Sequence, residues 1–259
     1  MKKALWLCWV LLVCTCQAAT NSATKAPLIS GTGNPEVVAQ LAPGKVFSRT
    51  APGAHEMSYH VYVPTTFNAA KPPPLVVLFS PGGSGKGIMD SVKASAEKAG
   101  WVAIGCDKLK NNMGKDGIKE KEADLMEDEV LDDILQSLPT PKNRIYLGGM
   151  SGGAERAYDV SSRRKENFAG ILAFGGWLGG RENWNKKYCK GMAVAMLNGD
   201  KDKNANAWVA GDTTALRRRS CRVKSFSFPG GHVVAPPESI DKALAWFEED
   251  WLKTGSKRD

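Results

Sequence analysis

Long apolar runs, histidines and repeated segments are all scarce in this 259-residue chain. The longest apolar run, Ala4 to Cys16, has 13 residues, short of the roughly 20 that a membrane-spanning helix needs, and no second run approaches it. A catalytic base has few candidates, because only His55, His60 and His232 exist. No internal repeat appears, and nothing between Ser58 and Leu252 looks like a linker, so one domain is expected. Charge is not massed on one sign either. The net charge is +8, and the cations are scattered or broken by acids except at Arg217-Arg218-Arg219 and around Lys257-Arg258. No basic face interleaved with aromatics is legible, so no nucleic-acid partner is expected. With 42% hydrophobic and 24% charged residues, disorder, collagen and coiled coil are excluded.

What is present begins with an export signature. Lys2 and Lys3 precede the apolar run, and small residues follow in Gln17-Ala18-Ala19, the order of a cleavable secretory signal. Cleavage is expected after Ala18, with the product secreted or periplasmic; loss of Lys2 and Lys3 takes the net charge down by two, to +6. The residues before Cys14 and Cys16 fit a lipoprotein signal poorly. Export leaves Cys106, Cys189 and Cys221 in a compartment where disulfides persist. Cys189 and Cys221 each precede a predicted strand and would bridge if those strands are neighbours; the other reading is three small buried hydrophobes. Residues 19–53 read as an extended lead-in rich in Pro, Gly, Ser and Thr, and residues 54–259 as the folded domain.

Within that domain short apolar runs alternate with helical patterns. Met57 to Val63 alternates with a period of two and reads as a half-buried strand, whereas Leu75 to Phe79 is continuously apolar and reads as a strand covered on both faces. Trp101 to Cys106, Arg144 to Leu147, Gly170 to Phe174, Met192 to Leu197 and Val223 to Phe228 follow. Between or after them lie helix candidates at Met89 to Lys98, Lys119 to Leu138, Gly153 to Lys165, Trp208 to Arg219 and Pro237 to Leu252. The alternation implies an α/β fold: a mostly parallel central sheet with helices on both faces. Ligands in such sheets bind beyond the carboxyl ends of the strands.

Four of those ends carry chemistry. After Leu147 comes Gly148-Gly149-Met150-Ser151-Gly152-Gly153, a G-x-S-x-G pattern between a strand and a helix. Glycines on either side let a serine occupy a sharp, strained turn with its hydroxyl above the sheet. His232, in Phe228-Pro229-Gly230-Gly231-His232, follows the last predicted strand and is the expected base; His60 lies within a strand and His55 just before it. The strand from Met192 ends in Asn198-Gly199-Asp200-Lys201-Asp202, which offers two carboxylates to orient the histidine. Asp202 is preferred over Asp200, because in folds of this type the residue three after the turn glycine usually reaches the base. The oxyanion of an acyl-transfer intermediate needs two donors, and these are expected from the backbone N–H of Gly152 and of Gly82, with Gly83 as the fallback because Pro81 has no N–H.

Other patterns resolve into ordinary structure. Gly85-Lys86 is not a phosphate loop, since the first glycine of that motif is replaced by Ser80 and the residue after lysine is Gly87. His55 and His60 are five apart on a strand, so they do not form a zinc motif, and no metal is expected. The acidic stretch Lys119 to Asp133 reads as the solvated face of a helix with Leu125, Met126, Val130, Leu131 and Ile134 turned inward.

Ser151, Asp202 and His232 in that chain order, each at a strand end, resemble the α/β-hydrolase fold over about Ser58 to Leu252. Val61-Tyr62-Val63-Pro64, the glycine-rich loop, Arg144-Ile145-Tyr146-Leu147 and Phe168-Ala169-Gly170 resemble exported serine esterases of the polyhydroxybutyrate depolymerase and feruloyl or acetylxylan esterase group. Where those enzymes commonly have His-Gly, this chain has Ser80-Pro81. The resemblance implies hydrolysis of small or polymer-linked esters through an acyl-enzyme, without a cofactor and without a large lid domain. Trp177 and Trp184 are candidates for an aromatic wall at the substrate site. A peptidase or acyltransferase with the same triad, or an inactive scaffold that binds, stays open at this stage.

Overall fold

A computed structural model describes residues 31–111, 120–141, 143–188 and 190–255. The expected signal segment 1–18, Cys189 with its expected partnership to Cys221, and Lys257-Arg258 lie at least partly outside those residues. Among the described residues no helix is long and apolar enough to cross a membrane.

The lead-in is not merely extended. It carries a short helix α1 (Pro35–Val38), capped by the Asn34 side chain, and an edge strand β1 (Val46–Thr50). β1 escapes a periodicity reading because its VFSRT sequence leaves alternate residues exposed and offers no apolar run. The chain continues through β2 (Ser58–Tyr62), β3 (Leu75–Phe79), α2 (Gly85–Ala99), β4 (Val102–Cys106), α3 (Glu120–Ser137), β5 (Ile145–Met150) and α4 (Gly152–Arg163). It then forms β6 (Gly170–Phe174), a 3-10 turn (Arg181–Asn185), β7 (Ala193–Gly199), α5 (Lys203–Arg218), β8 (Arg222–Phe228) and α6 (Pro237–Thr254).

The eight strands of the described residues join one sheet in the order β1-β2-β4-β3-β5-β6-β7-β8, antiparallel at the first two pairings and parallel from β4 onward. β3 to β7 lie inside the sheet with both faces covered, which is why their runs are apolar throughout. One face packs on α2 and α6 through Ile88, Met89, Val92, Ile240, Leu244 and Phe247. The opposite face is covered by α3, α4 and α5, with Val130, Ile134, Ala154, Tyr158 and Leu216 in its core.

Two helices begin earlier than their apolar periodicity suggests, because polar caps extend them. Ser84 Oγ accepts from Gly87 N–H at the start of α2, and Asp202 Oδ1 accepts from Ala205 N–H at the start of α5.

The acidic face of α3 departs from the expected solvated stripe. Leu125 is exposed rather than inward, while Met126, Val130, Leu131 and Ile134 are buried. Glu127 and Asp133 are buried too. Glu127 pairs with Arg156 and Arg163; Asp133 accepts from Arg49, Tyr59 and Ser137. These acids clamp α3 to the β1–β2 edge and to α4, because cations from distant parts of the chain meet them there.

Candidate active site

The site grows from the carboxyl end of β5. Gly149 and Gly153 let the elbow press onto β3: a Cβ at either position would lie 2.4 or 2.1 Å from the Phe79 carbonyl oxygen. Between them Ser151 takes φ 54°, a left-handed conformation that a non-glycine residue holds only when its surroundings impose it. One constraint is visible: Ser151 N–H donates to the Phe174 carbonyl at 2.9 Å. α4 starts at once, so the first-turn N–H of Gly152 has no intrahelical acceptor and the positive end of the helix faces the serine.

β7 and β8 deliver the partners. His232 Nδ1 donates to Asp202 Oδ2 at 2.7 Å. The Asp202 side chain is 2% exposed while that of His232 is 41% exposed, so the carboxylate is buried behind a ring whose Nε2 remains available. Asp200 is directed elsewhere, its Oδ1 accepting from Gly230 N–H at 2.9 Å, which holds the turn that carries the histidine. The His232–Asp202 pair and the elbow meet across Gly175. A Cβ there would stand 3.1 Å from His232 Nδ1, 3.2 Å from Asp202 Oδ2 and 3.2 Å from the Cε of Met150, the neighbour of Ser151.

Phe79 pairs with Gly149, so the loop after β3 starts beside the elbow. In that loop Gly82 bridges to Lys110, and its N–H lies 3.3 Å from Ser80 Oγ. The loop is held by Gly83 N–H on the Ser80 carbonyl and by Asn111 N–H on the Pro81 carbonyl.

A cavity of about 730 Å³ opens from Ser151 and Gly152 along α4. Trp177 lines it, with its ring centroid 6.5 Å from that of His232. Trp184 is not brought to this cavity. Its Nε1 donates to Asp212 at 2.6 Å, its ring covers Gly211, and it faces a separate groove with Arg181 and Arg218. The expectation that Trp184 joins Trp177 in an aromatic wall is therefore corrected: the buried Asp212 draws the indole away from the serine, because a buried carboxylate needs donors.

Two residues at this site carried no sequence signal. Asn111 lays its carboxamide over Gly152, where a Cβ would fall 2.1 Å from Oδ1, and Glu155 projects into the cavity one helical turn beyond Ser151. Neither belongs to a motif; only the fold brings them there. Among the described residues Asp124, Glu127 and Asp159 have carboxylate oxygens within 4.8 Å of one another. Arg156 and Arg163 on Glu127 and Lys186 on Asp159 already supply their positive charge.

No protein-family model and no curated protein matches the chain. Solved structures do. An S-formylglutathione hydrolase from Staphylococcus aureus aligns with a TM-score of 0.59 at 15% identity, over 80% of this chain and 98% of that one. Esterase 2 of Thermogutta terrifontis aligns at 0.60 and 14% identity, over 83% and 96%, and a ferulic acid esterase at 0.56 and 16%, over 80% and 98%. The chain has the α/β-hydrolase fold.

Proposed function

We propose that the chain is a serine hydrolase that cleaves carboxylic esters. The observation that carries this reading is the buried Asp202 carboxylate 2.7 Å from His232 Nδ1, beside a serine held at φ 54° on a helix N-terminus. In the proposed reaction His232 Nε2 takes the Ser151 proton as Oγ attacks the ester carbonyl carbon. Negative charge gathers on the carbonyl oxygen, where Gly152 N–H donates and Gly82 N–H joins it by turning from Ser80 Oγ, which it meets at 3.3 Å in the resting structure. The carbon–oxygen bond to the alcohol then breaks, and the alcohol leaves with the proton from His232. Water repeats the sequence on the acyl-enzyme, giving up its proton to His232, and Ser151 regains a proton as the acid departs. Asp202 keeps the proton on Nδ1 and stabilises the imidazolium.

Two solved neighbours named as esterases and one named as an S-formylglutathione hydrolase support the ester reading, and the ferulic acid esterase supports the resemblance to the feruloyl, acetylxylan and polyhydroxybutyrate group. The leader of Lys2, Lys3 and the apolar run supports export to the periplasm or beyond. The test is p-nitrophenyl acetate and butyrate hydrolysis by the chain from Ala19, with stoichiometric fluorophosphonate labelling. Turnover and labelling that both vanish in Ser151→Ala are expected. A folded protein that neither turns over nor labels would overturn the reading.

A further inference from the structure

The chain carries a net charge of +8, yet the cavity at its candidate nucleophile is acidic. Among the described residues five carboxylates line that cavity against three cationic side chains. Two of the cations are already matched, Arg156 by Glu127 and Lys186 by Asp159. Asp124 is partly answered by Arg163, whose Nε lies 3.7 Å away. What remains is Glu155 and Glu182 against Lys110, and of these only Glu155 is withdrawn from solvent. The Glu155 carboxylate forms no hydrogen bond or ion pair with any described residue, and it lies over Gly179, 3.7 Å from where a Cβ would stand. An unmatched, half-buried carboxylate is costly to keep unless something completes it. Burial, and then the nearby Asp212, raise its pKa from the ordinary glutamate value.

A second feature points the same way. Trp177 lines the same cavity beside His232, and an indole face attracts a cation that a carboxylate also holds. We propose that the ester cleaved at Ser151 carries an ammonium group, which Glu155 receives with Trp177 alongside; this rests on the serine-esterase reading above and names its substrate class.

The ammonium can sit on the alcohol or on the acyl side, and two pairs of esters separate these. Choline acetate against 3,3-dimethylbutyl acetate places the charge on the alcohol. Ethyl betaine ester against ethyl 3,3-dimethylbutanoate places it on the acyl group. Within each pair the shape is kept and only the charge changes, and comparing wild type with Glu155→Gln cancels the esters' differing reactivity. The charged-to-neutral ratio of kcat/KM is expected to fall by about tenfold or more in Glu155→Gln for one pair, which identifies the side. Equal ratios in wild type and Glu155→Gln for both pairs overturn the proposal. Titration calorimetry with choline reads the cavity without turnover. Binding to Ser151→Ala that is lost in Ser151→Ala/Glu155→Gln supports the ammonium site at Glu155 even if no ester is cleaved, in which case the hydrolase reading, and the substrate class that rests on it, fail by themselves. Choline binding that is absent, or the same in both variants, counts against the ammonium site.

Discussion

Among the described residues serine, histidine and aspartate come together in two places, a hydrogen-bonded trio at the sheet edge and the proposed catalytic set at the β5–β7–β8 ends, and the surroundings of the two differ. At the β1–β2–β4 edge, Ser48 Oγ and His60 Nδ1 share a 2.8 Å hydrogen bond, and His60 Nε2 lies 2.9 Å from Asp107 Oδ2. Ser48 and His60 are direct cross-strand partners, so antiparallel register alone brings them together. Ser48 sits on an ordinary strand, with no helix N-terminus behind it. Its aspartate is occupied with other work: Asp107 also accepts from Ser58 Oγ and, at 2.7 Å, from Gly85 N–H, which moors α2 to β4. At the β5–β7–β8 ends the serine is strained, first-turn N–H groups stand beside it, and a cavity opens over it. Hydrogen bonds alone therefore do not mark a reactive centre, since the edge trio has both of them; strain, donors and space are what distinguish the second set.

The comparison breaks most sharply at the serines. Ser151→Ala is expected to lower kcat on p-nitrophenyl acetate by on the order of 10⁴-fold or more, whereas Ser48→Ala should stay within about twofold. A large loss in Ser48→Ala with labelling at Ser48 would invert the assignment. Next come the two aspartates after β7. Asp202→Asn is expected to cost on the order of 10³- to 10⁴-fold in kcat, because the amide no longer holds the proton on Nδ1. Asn is as good an N-cap as Asp, so α5 keeps its start and the measurement reads chemistry rather than folding. Asp200→Asn alters only the turn through Gly230 and should cost a fewfold; the opposite ranking would move the triad acid to Asp200.

Much of this arrangement is legible in the sequence, and the reasons differ by region. The inner strands announce themselves as apolar runs such as LVVLF because water reaches neither face. Ser151, Asp202 and His232 could be sought together because β5, β7 and β8 are parallel and their carboxyl ends must share one rim. The edge was opaque for the converse reason. β1 is stabilised by pairing with β2 and by the Arg49–Asp133 ion pair, 84 residues apart in sequence, and neither leaves a local pattern. Glu127 and Asp133 looked like a solvated stripe because their partners are tertiary. Trp184 misled similarly, since an indole near a strand end reads as a binding surface until Asp212 is seen to hold it.

At the structural edge the effect should appear in stability instead of rate. Asp107→Ala leaves Gly85 N–H, Ser58 and His60 without their shared acceptor. It is expected to lower the unfolding free energy by about 1–3 kcal/mol in urea denaturation. Turnover by the remaining folded fraction should fall only a fewfold, because Asp107 reaches the proposed site only through Gly85 N–H at the end of the glycine-rich loop. A large kcat loss at full stability would mean that the edge trio takes part in the reaction.

The finest distinction is in pH. Burial by itself would raise the Asp133 pKa, but hydrogen bonds from Arg49, Ser137 and Tyr59, and the Arg49 charge, overcome it and hold the carboxyl below its ordinary value. A carboxyl depressed in the folded state contributes stability that is present above its unfolded pKa, about 3.9, and is lost as pH falls through the folded value. Urea midpoints of the wild type should therefore decline in this acidic window. In Asp133→Asn the starting midpoint is lower and the acid-side decline shallower, since one of the groups driving it is gone. Glu129 is depressed in the same sense: burial opposes the shift, and hydrogen bonds from the His55 side chain, the His55 N–H and the Met57 N–H outweigh it, so part of the slope should persist. An unchanged slope in Asp133→Asn would show that the acid sensitivity of this edge resides in Glu129 and its neighbours rather than in the Arg49 pair.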